Sequence, residues 1–140
     1  MALFAWSNYE KYAWGENELR PLTRTGHSAS VFGQSTKLGA TIVDGLDTMY
    51  LMGFKDEYER GREWILKNLN LNVVNKIKVF LVLLFWVKVV FFFNLFKNSD
   101  VSAFEVNIRF VGGLLSLYTL TGDKEFVRKA EEIATALLPW

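Results

Sequence analysis

The sequence predicts an all-α chain built from helical hairpins, and three observations lead there. Apolar residues recur at three- and four-residue spacing in five separate windows. Glycines, a proline and a Thr-Gly-Asp turn punctuate those windows at their ends. No alternation of strand and helix patterns is visible along the chain, so a parallel βαβ sheet is not expected.

The first helix runs from Ala2 to Gly15, with Phe4, Ala5, Tyr9, Tyr12 and Ala13 facing one way and Gly15 as its stop. Residues 16–39 are polar and carry Pro21, Gly26, Gly33 and Gly39. Connections of that length are usually functional or disordered. A second helix spans Ala40 to Met52, with Ile42, Val43, Leu46 and Tyr50 toward the core. A third covers Glu57 to Leu69, where Tyr58, Trp64, Ile65 and Leu69 alternate with charges. The fourth, Ser102 to Leu120, carries a stripe of Phe104, Ile108, Val111, Leu115 and Tyr118. It is apolar on most other faces too, so it is expected to be buried with Glu105 and Arg109 paired inside. Thr121-Gly122-Asp123 supplies a turn and an N-cap for the fifth, Lys124 to Leu138, whose Phe126, Ala130, Ile133, Ala134 and Leu137 face the core.

Val79 to Phe96 stands apart. Only Lys88 and Asn94 interrupt its apolar run, which has neither helical nor strand period. Its 18 residues reach the lower limit for a membrane span. A central Lys costs about 2.5–3.5 kcal/mol on insertion, and Lys76 and Lys78 before it and Lys97 after it give little orientation bias.

Composition excludes several chemistries. The net charge of +1 speaks against a nucleic-acid surface or a polybasic membrane patch. With no cysteine there is no disulfide, thiolate zinc site or cysteine nucleophile. His27 is the only histidine, and in its polar loop it reads as a surface or loop-ordering residue. The first residues lack a basic n-region and run directly into Ser7, Asn8, Glu10 and Lys11, unlike a signal peptide.

Three acidic positions are candidates for chemistry. Asp44 and Asp47 lie three apart on the second helix, so both sit near one face, which suits acid/base work or cation binding. The bland alternative makes Asp44 a first-turn carboxylate favoured by the helix dipole and Asp47 an exposed residue. Glu105 could belong to a Ser102-x-x-Glu105 capping box with Arg109 as an ordinary i,i+4 partner. Gly112-Gly113 in mid-helix costs about 1 kcal/mol per glycine relative to alanine, which points to close approach of a neighbouring helix or ligand.

Particular strings go further than spacing. Tyr12-Ala-Trp-Gly-x-Asn-Glu-Leu-x-Pro21, Gly39-Ala-Thr-Ile-Val-Asp-Gly-Leu-Asp-Thr-Met-Tyr-Leu-Met52 and Phe104-Glu-Val-Asn-Ile-Arg-Phe-Val-Gly-Gly-Leu-Leu-Ser116 together resemble the class I α-1,2-mannosidases, glycoside hydrolase family 47, in their Golgi form. The resemblance covers the chain apart from the apolar segment. It implies an (αα)7 barrel, of which residues 1–140 would form the first hairpins. It also implies Ca²⁺-dependent, inverting hydrolysis of terminal α-1,2-linked mannose on high-mannose N-glycans of glycoproteins. By the same resemblance Glu105 is the catalytic acid, Arg109 lines its pocket, and Asp44 and, more weakly, Asp47 share that pocket. No metal ligand is expected within these residues, because the family's calcium-binding threonine and its later catalytic carboxylates would lie beyond Trp140. The resemblance further implies the lumen of the Golgi or endoplasmic reticulum and a membrane anchor ahead of Met1.

One departure stands out. Joining Val73 to Asn98 restores the family's short link, Leu71-Asn-Val-Asn-Ser-Asp-Val-Ser-Ala-Phe-Glu105. Residues 74–97 therefore read as an apolar insertion, and as translated intron. Val74 can supply a 5′ GT, Lys97 a terminal AG, and Phe91–Phe93 with Leu95 and Phe96 a pyrimidine tract. The rival readings are a genuine insertion and a non-catalytic helical product associated with membranes through residues 79–96.

Overall fold

The computed structural model describes residues 1–33, 36–71, 76–78 and 100–137. Its helices are α1 (Ala2–Ala13), α2 (Ala40–Leu51), α3 (Lys55–Asn68), α4 (Ala103–Glu105), α5 (Gly112–Thr121) and α6 (Lys124–Leu137). A π-helical stretch, Val106–Val111, joins α4 to α5 without a break. The all-α expectation holds. Two short strand pairs accompany the helices: β1 (Glu18–Arg20) antiparallel to β2 (Thr25–His27), and β3 (Lys76–Lys78) parallel to β4 (Asp100–Ser102). The apolar segment 79–96 and most of 74–97 lie outside the described residues; of that stretch only the β3 backbone is described. Among the described residues no helix is long and apolar enough to cross a membrane.

The centre is α2, which packs on both α3 and α5, while α5 packs on α6. Ile42, Val43 and Leu46 are fully buried, joined by Ile65 from α3, Leu114 and Leu117 from α5, and Phe126 and Ile133 from α6. Gly113 explains how α5 comes so near. A Cβ there would stand 3.2 Å from Val43 Cγ1 and 3.4 Å from the Val43 carbonyl oxygen. The close approach expected of the glycine pair thus belongs to Gly113; next to Gly112 only the Asn107 carbonyl would come within 4 Å, at 3.8 Å.

The turn before α6 forms as the sequence indicates. Gly122 ends α5 at φ +72°, and Asp123 accepts from the Glu125 amide at 3.0 Å. Asp123 also accepts from Arg62 Nε at 2.7 Å, which ties α3 to the start of α6.

Several faces differ from expectation. In α1 the buried residues are Trp6, Tyr9 and Ala13, while Phe4 is 75% exposed. In α2, Met49 takes the inward position and Tyr50 is exposed. The largest difference is in the fourth helical window. Val106, Phe110, Leu114 and Leu117 face the core, and Phe104, Ile108, Leu115 and Tyr118 face outward. This helix is apolar on two sides, so periodicity alone could not choose between them. Glu105 and Arg109 are accordingly half-buried, not sealed inside.

Residues 16–39 also hold more order than their polarity suggested. The β1–β2 hairpin is followed by a 3₁₀ turn, Ser30–Phe32. Asn17, completely buried, binds them together: its Nδ2 donates to Ser28 Oγ (2.7 Å) and the Thr36 carbonyl (2.9 Å), and its Oδ1 accepts from the Leu38 amide (2.9 Å). The Asn17 carbonyl accepts from the Thr41 amide and hydroxyl (3.0 and 2.8 Å), satisfying an otherwise orphaned donor in the first turn of α2.

Candidate active site

Three of the four sequence-selected residues meet on one guanidinium. Arg109, in the π-helical stretch, donates to Asp44 Oδ2 on α2 through Nε at 2.8 Å and through Nη2, bridging positions 65 residues apart. Its Nη1 lies 3.8 Å from Glu105 Oε2, one turn earlier on its own helix. Beneath the guanidinium lies the ring of Phe32, 4.6 Å from Cζ to centroid, and Phe32 in turn packs edge-on against Phe110. Phe32 is fully buried. Arg109 is therefore held by two carboxylates and one aromatic face.

Electrostatics follow from that arrangement. Burial opposes the charge on Arg109, but its hydrogen bond to Asp44 and the negative charges of Asp44, Glu105 and Glu18 outweigh it, so its pKa rises above the ordinary value. The guanidinium stays charged throughout. Glu18, on β1, is a member of this charge group that spacing did not single out, although it sits inside the Gly-x-Asn-Glu-Leu string.

Asp44 is the fifth residue of α2, past the first turn, so the helix-dipole alternative does not describe it. Asp47 lies one turn on and is half-buried; it accepts from Ser116 Oγ of α5 at 3.1 Å and from Thr48 Oγ1 at 3.3 Å. It is tied to the α2–α5 seam, not to Arg109. The Ser102 reading is half realised: Ser102 Oγ accepts from the Glu105 amide at 3.3 Å, while the Glu105 carboxylate turns toward Arg109. Capping and pocket roles coexist in one turn. His27 is half-buried at the end of β2, opposite Glu18 in the hairpin register.

A calcium site asks for about six to eight oxygen ligands. Among the described residues no group of three or more His, Cys, Asp or Glu side chains is placed to hold a metal ion. Asp44 and Glu105 are already engaged by Arg109, so these residues do not fit such a site.

Half-buried carboxylates and a guanidinium set on helical hairpins form the kind of surface that carbohydrate-cleaving enzymes present to sugar hydroxyls. The chain belongs to glycosyl hydrolase family 47, whose family model matches residues 1–140. It is 49% identical over 139 residues to the mannosyl-oligosaccharide alpha-1,2-mannosidase IA of Spodoptera frugiperda, covering 99% of this chain and 17% of that protein. Against the human mannosyl-oligosaccharide 1,2-alpha-mannosidase IB the identity is 47% over 139 residues, covering 99% and 18%. Against MNS1 of Arabidopsis thaliana it is 43% over 137 residues, covering 98% and 19%. The chain thus spans less than a fifth of the length of these relatives.

Proposed function

We propose that this chain supplies one wall of the sugar pocket of a mannosidase that removes terminal α-1,2-linked mannose from high-mannose N-glycans of glycoproteins. The observation that carries the reading is the Asp44–Arg109–Glu105 assembly, found in a family whose members of similar sequence are mannosyl-oligosaccharide 1,2-alpha-mannosidases. Glu105 is the proton donor to the glycosidic oxygen. Arg109 and Asp44 engage sugar hydroxyls, and Asp47 fixes the seam from which Asp44 projects. The setting is the Golgi or endoplasmic reticulum lumen, with a membrane anchor ahead of these residues in the longer protein.

Inversion needs a second carboxylate, roughly 6.5–9.5 Å from the acid, to activate water on the opposite face of the sugar. Asp44, already accepting from two donors of Arg109, is assigned to holding the guanidinium and sugar hydroxyls and not to that part. On this reading the water-activating carboxylate and the calcium ligands come from other parts of the longer protein. It follows that the chain by itself binds mannose weakly and hydrolyses nothing. The test combines the purified chain with a high-mannose oligosaccharide and Ca²⁺, follows mannose release, and titrates methyl α-mannoside by NMR. Binding that Arg109→Ala abolishes, without release, supports the reading. Calcium-dependent release lost in Glu105→Gln would overturn the division of labour, and absence of any mannoside binding would overturn the pocket.

A further inference from the structure

Trp64 of α3 is half-buried, its indole ring pressed on two glycines that belong to other elements. A Cβ on Gly39 would collide with Cη2 and Cζ3 of the ring, and one on Gly15 would stand 3.1 Å from Nε1 and 3.3 Å from Cζ2. Both glycines have left-handed backbones, φ +62° at Gly39 and φ +83° at Gly15. A side chain is thus excluded at each place twice, by the backbone and by the indole. The ring touches the chain just past the end of α1 and again at the start of α2.

Gly39 is the residue from which α2 starts. Its carbonyl accepts from the Ile42 and Val43 amides at 2.8 and 3.1 Å, the first bonds of the helix. Val43 is where α5 comes closest, since a Cβ on Gly113 would stand 3.2 Å from its Cγ1. Asp44 follows Val43 and accepts from Arg109, which stands on the helix continuous with α5. One path of touching groups therefore runs from Trp64 through Gly39 and Val43 to the Asp44–Arg109 pair. Gly61, one turn before Trp64, meets Leu46 and Ile42 of α2. Those two residues lie about 200° around the helix from Asp44, so α3 holds α2 from the face opposite the pocket.

We infer that Trp64 is a positioning residue for the Asp44–Arg109–Glu105 group: wedged between Gly15 and Gly39, it sets the height of α2, and with it Asp44, against Arg109. Its bearing on sugar binding rests on the pocket assignment made above. Trp64 acts through α2 and is not itself part of the pocket. A ring too short to reach both glycines lets the start of α2 shift along its axis. A displacement of about 0.5–1 Å is enough to spoil hydrogen bonds from two donors of one guanidinium.

The test uses NMR on the 140-residue chain to measure exchange of the Arg109 Nε–H proton with water and the affinity for methyl α-mannoside. Trp64→Phe keeps an aromatic ring that cannot span both glycines, and Trp64→Ala removes the wedge outright. Arg62→Ala is the comparison, because it cuts the 2.7 Å bond from α3 to Asp123 without touching the start of α2. All are measured at a temperature at which circular dichroism shows them folded. In Trp64→Phe the exchange is expected to be about tenfold faster and the affinity about fivefold weaker, with both unchanged in Arg62→Ala. Exchange and affinity unmoved in Trp64→Phe, or moved as much by Arg62→Ala, overturn the positioning role. If the parent chain binds no mannoside, the sugar pocket falls, and the Arg109 exchange still decides whether Trp64 sets Asp44.

Discussion

Replacing Asp44 and Arg109 by alanine, singly and together, measures what the contact across α2 and the π-helical stretch contributes. Two guanidinium donors converge on Asp44 Oδ2, one of them at 2.8 Å, with the side chains 33% and 30% exposed. Fully exposed ion pairs contribute about 0.2–1 kcal/mol, whereas hydrogen bonds to charged groups reach about 1.5–3 kcal/mol. Partial exposure and partial screening put the coupling between these ranges, at about 1–1.5 kcal/mol. Arg109→Ala costs more than Asp44→Ala, because it also removes the contact with the Phe32 ring, worth about 0.5–1 kcal/mol. The 3.8 Å approach of Glu105 survives in Asp44→Ala and adds only a few tenths of a kcal/mol. Urea unfolding of the parent and the three variants at neutral pH and low salt gives the coupling by difference, free of the Phe32 term. A coupling below about 0.3 kcal/mol, the scatter expected of independent sites, would refute the view that this pair joins the two helices.

Three further outcomes are expected. Asp123 has burial raising its pKa, but its hydrogen bond from Arg62, the Glu125 amide and the Arg62 charge bring it below the ordinary 3.8. A depressed folded-state pKa gives stability that is present above pH about 4 and lost as pH falls through the folded value. Acid unfolding of Asp123→Asn, which keeps the N-cap, should therefore show a shallower loss below pH about 4 than the parent. Gly113→Val should lower stability by about 2 kcal/mol by forcing α5 from Val43. Gly112→Ala, helical and exposed, should raise it by about 0.4–1 kcal/mol, and thermal melts of the pair report both signs. Asn17→Leu leaves the Leu38 amide and the Thr36 carbonyl without their buried partner and should cost about 2–3 kcal/mol in urea midpoint analysis, with a stabilised variant contradicting its role as the tie of residues 16–39.

The parts of this molecule that the sequence made legible are those written in local chemistry. The Thr121-Gly122-Asp123 turn needs a left-handed residue followed by a capping carboxylate, and both are visible in the letters. Asp44, Glu105 and Arg109 were selectable through the strings that contain them. What stayed hidden depends on neighbours. The Ser116–Asp47 bond joins helices far apart in sequence, and no pattern announces it. The orientation of the fourth window is a competition between two apolar faces, settled by where α2 and α6 stand. The β1–β2 hairpin escaped because its turn puts Arg24, not Gly or Asn, at φ +56°, so the usual punctuation is missing.

The length of the 16–39 connection now has a physical account. It is long because it must do three things with one stretch of chain. Asn17 closes the start of α2. Phe32, in the 3₁₀ turn, passes under Arg109 and presents the ring on which the guanidinium rests. Glu18, on β1, adds a negative charge on the same group. Arg109 could be placed by its own helix alone only loosely, since an i,i+4 partner at 3.8 Å constrains a long side chain little. A π-helical stretch further shifts the residues it contains relative to a regular helix, and such stretches are frequent at functional sites. Fixing Arg109 therefore requires walls from other elements, and α2 gives one while the connection gives the floor. On this argument the polar connection is the part of the site least visible as such in the sequence. Phe32→Ala should accordingly loosen the guanidinium, weakening mannoside binding more than Leu22→Ala in the same hairpin region, with equal effects of the two counting against it.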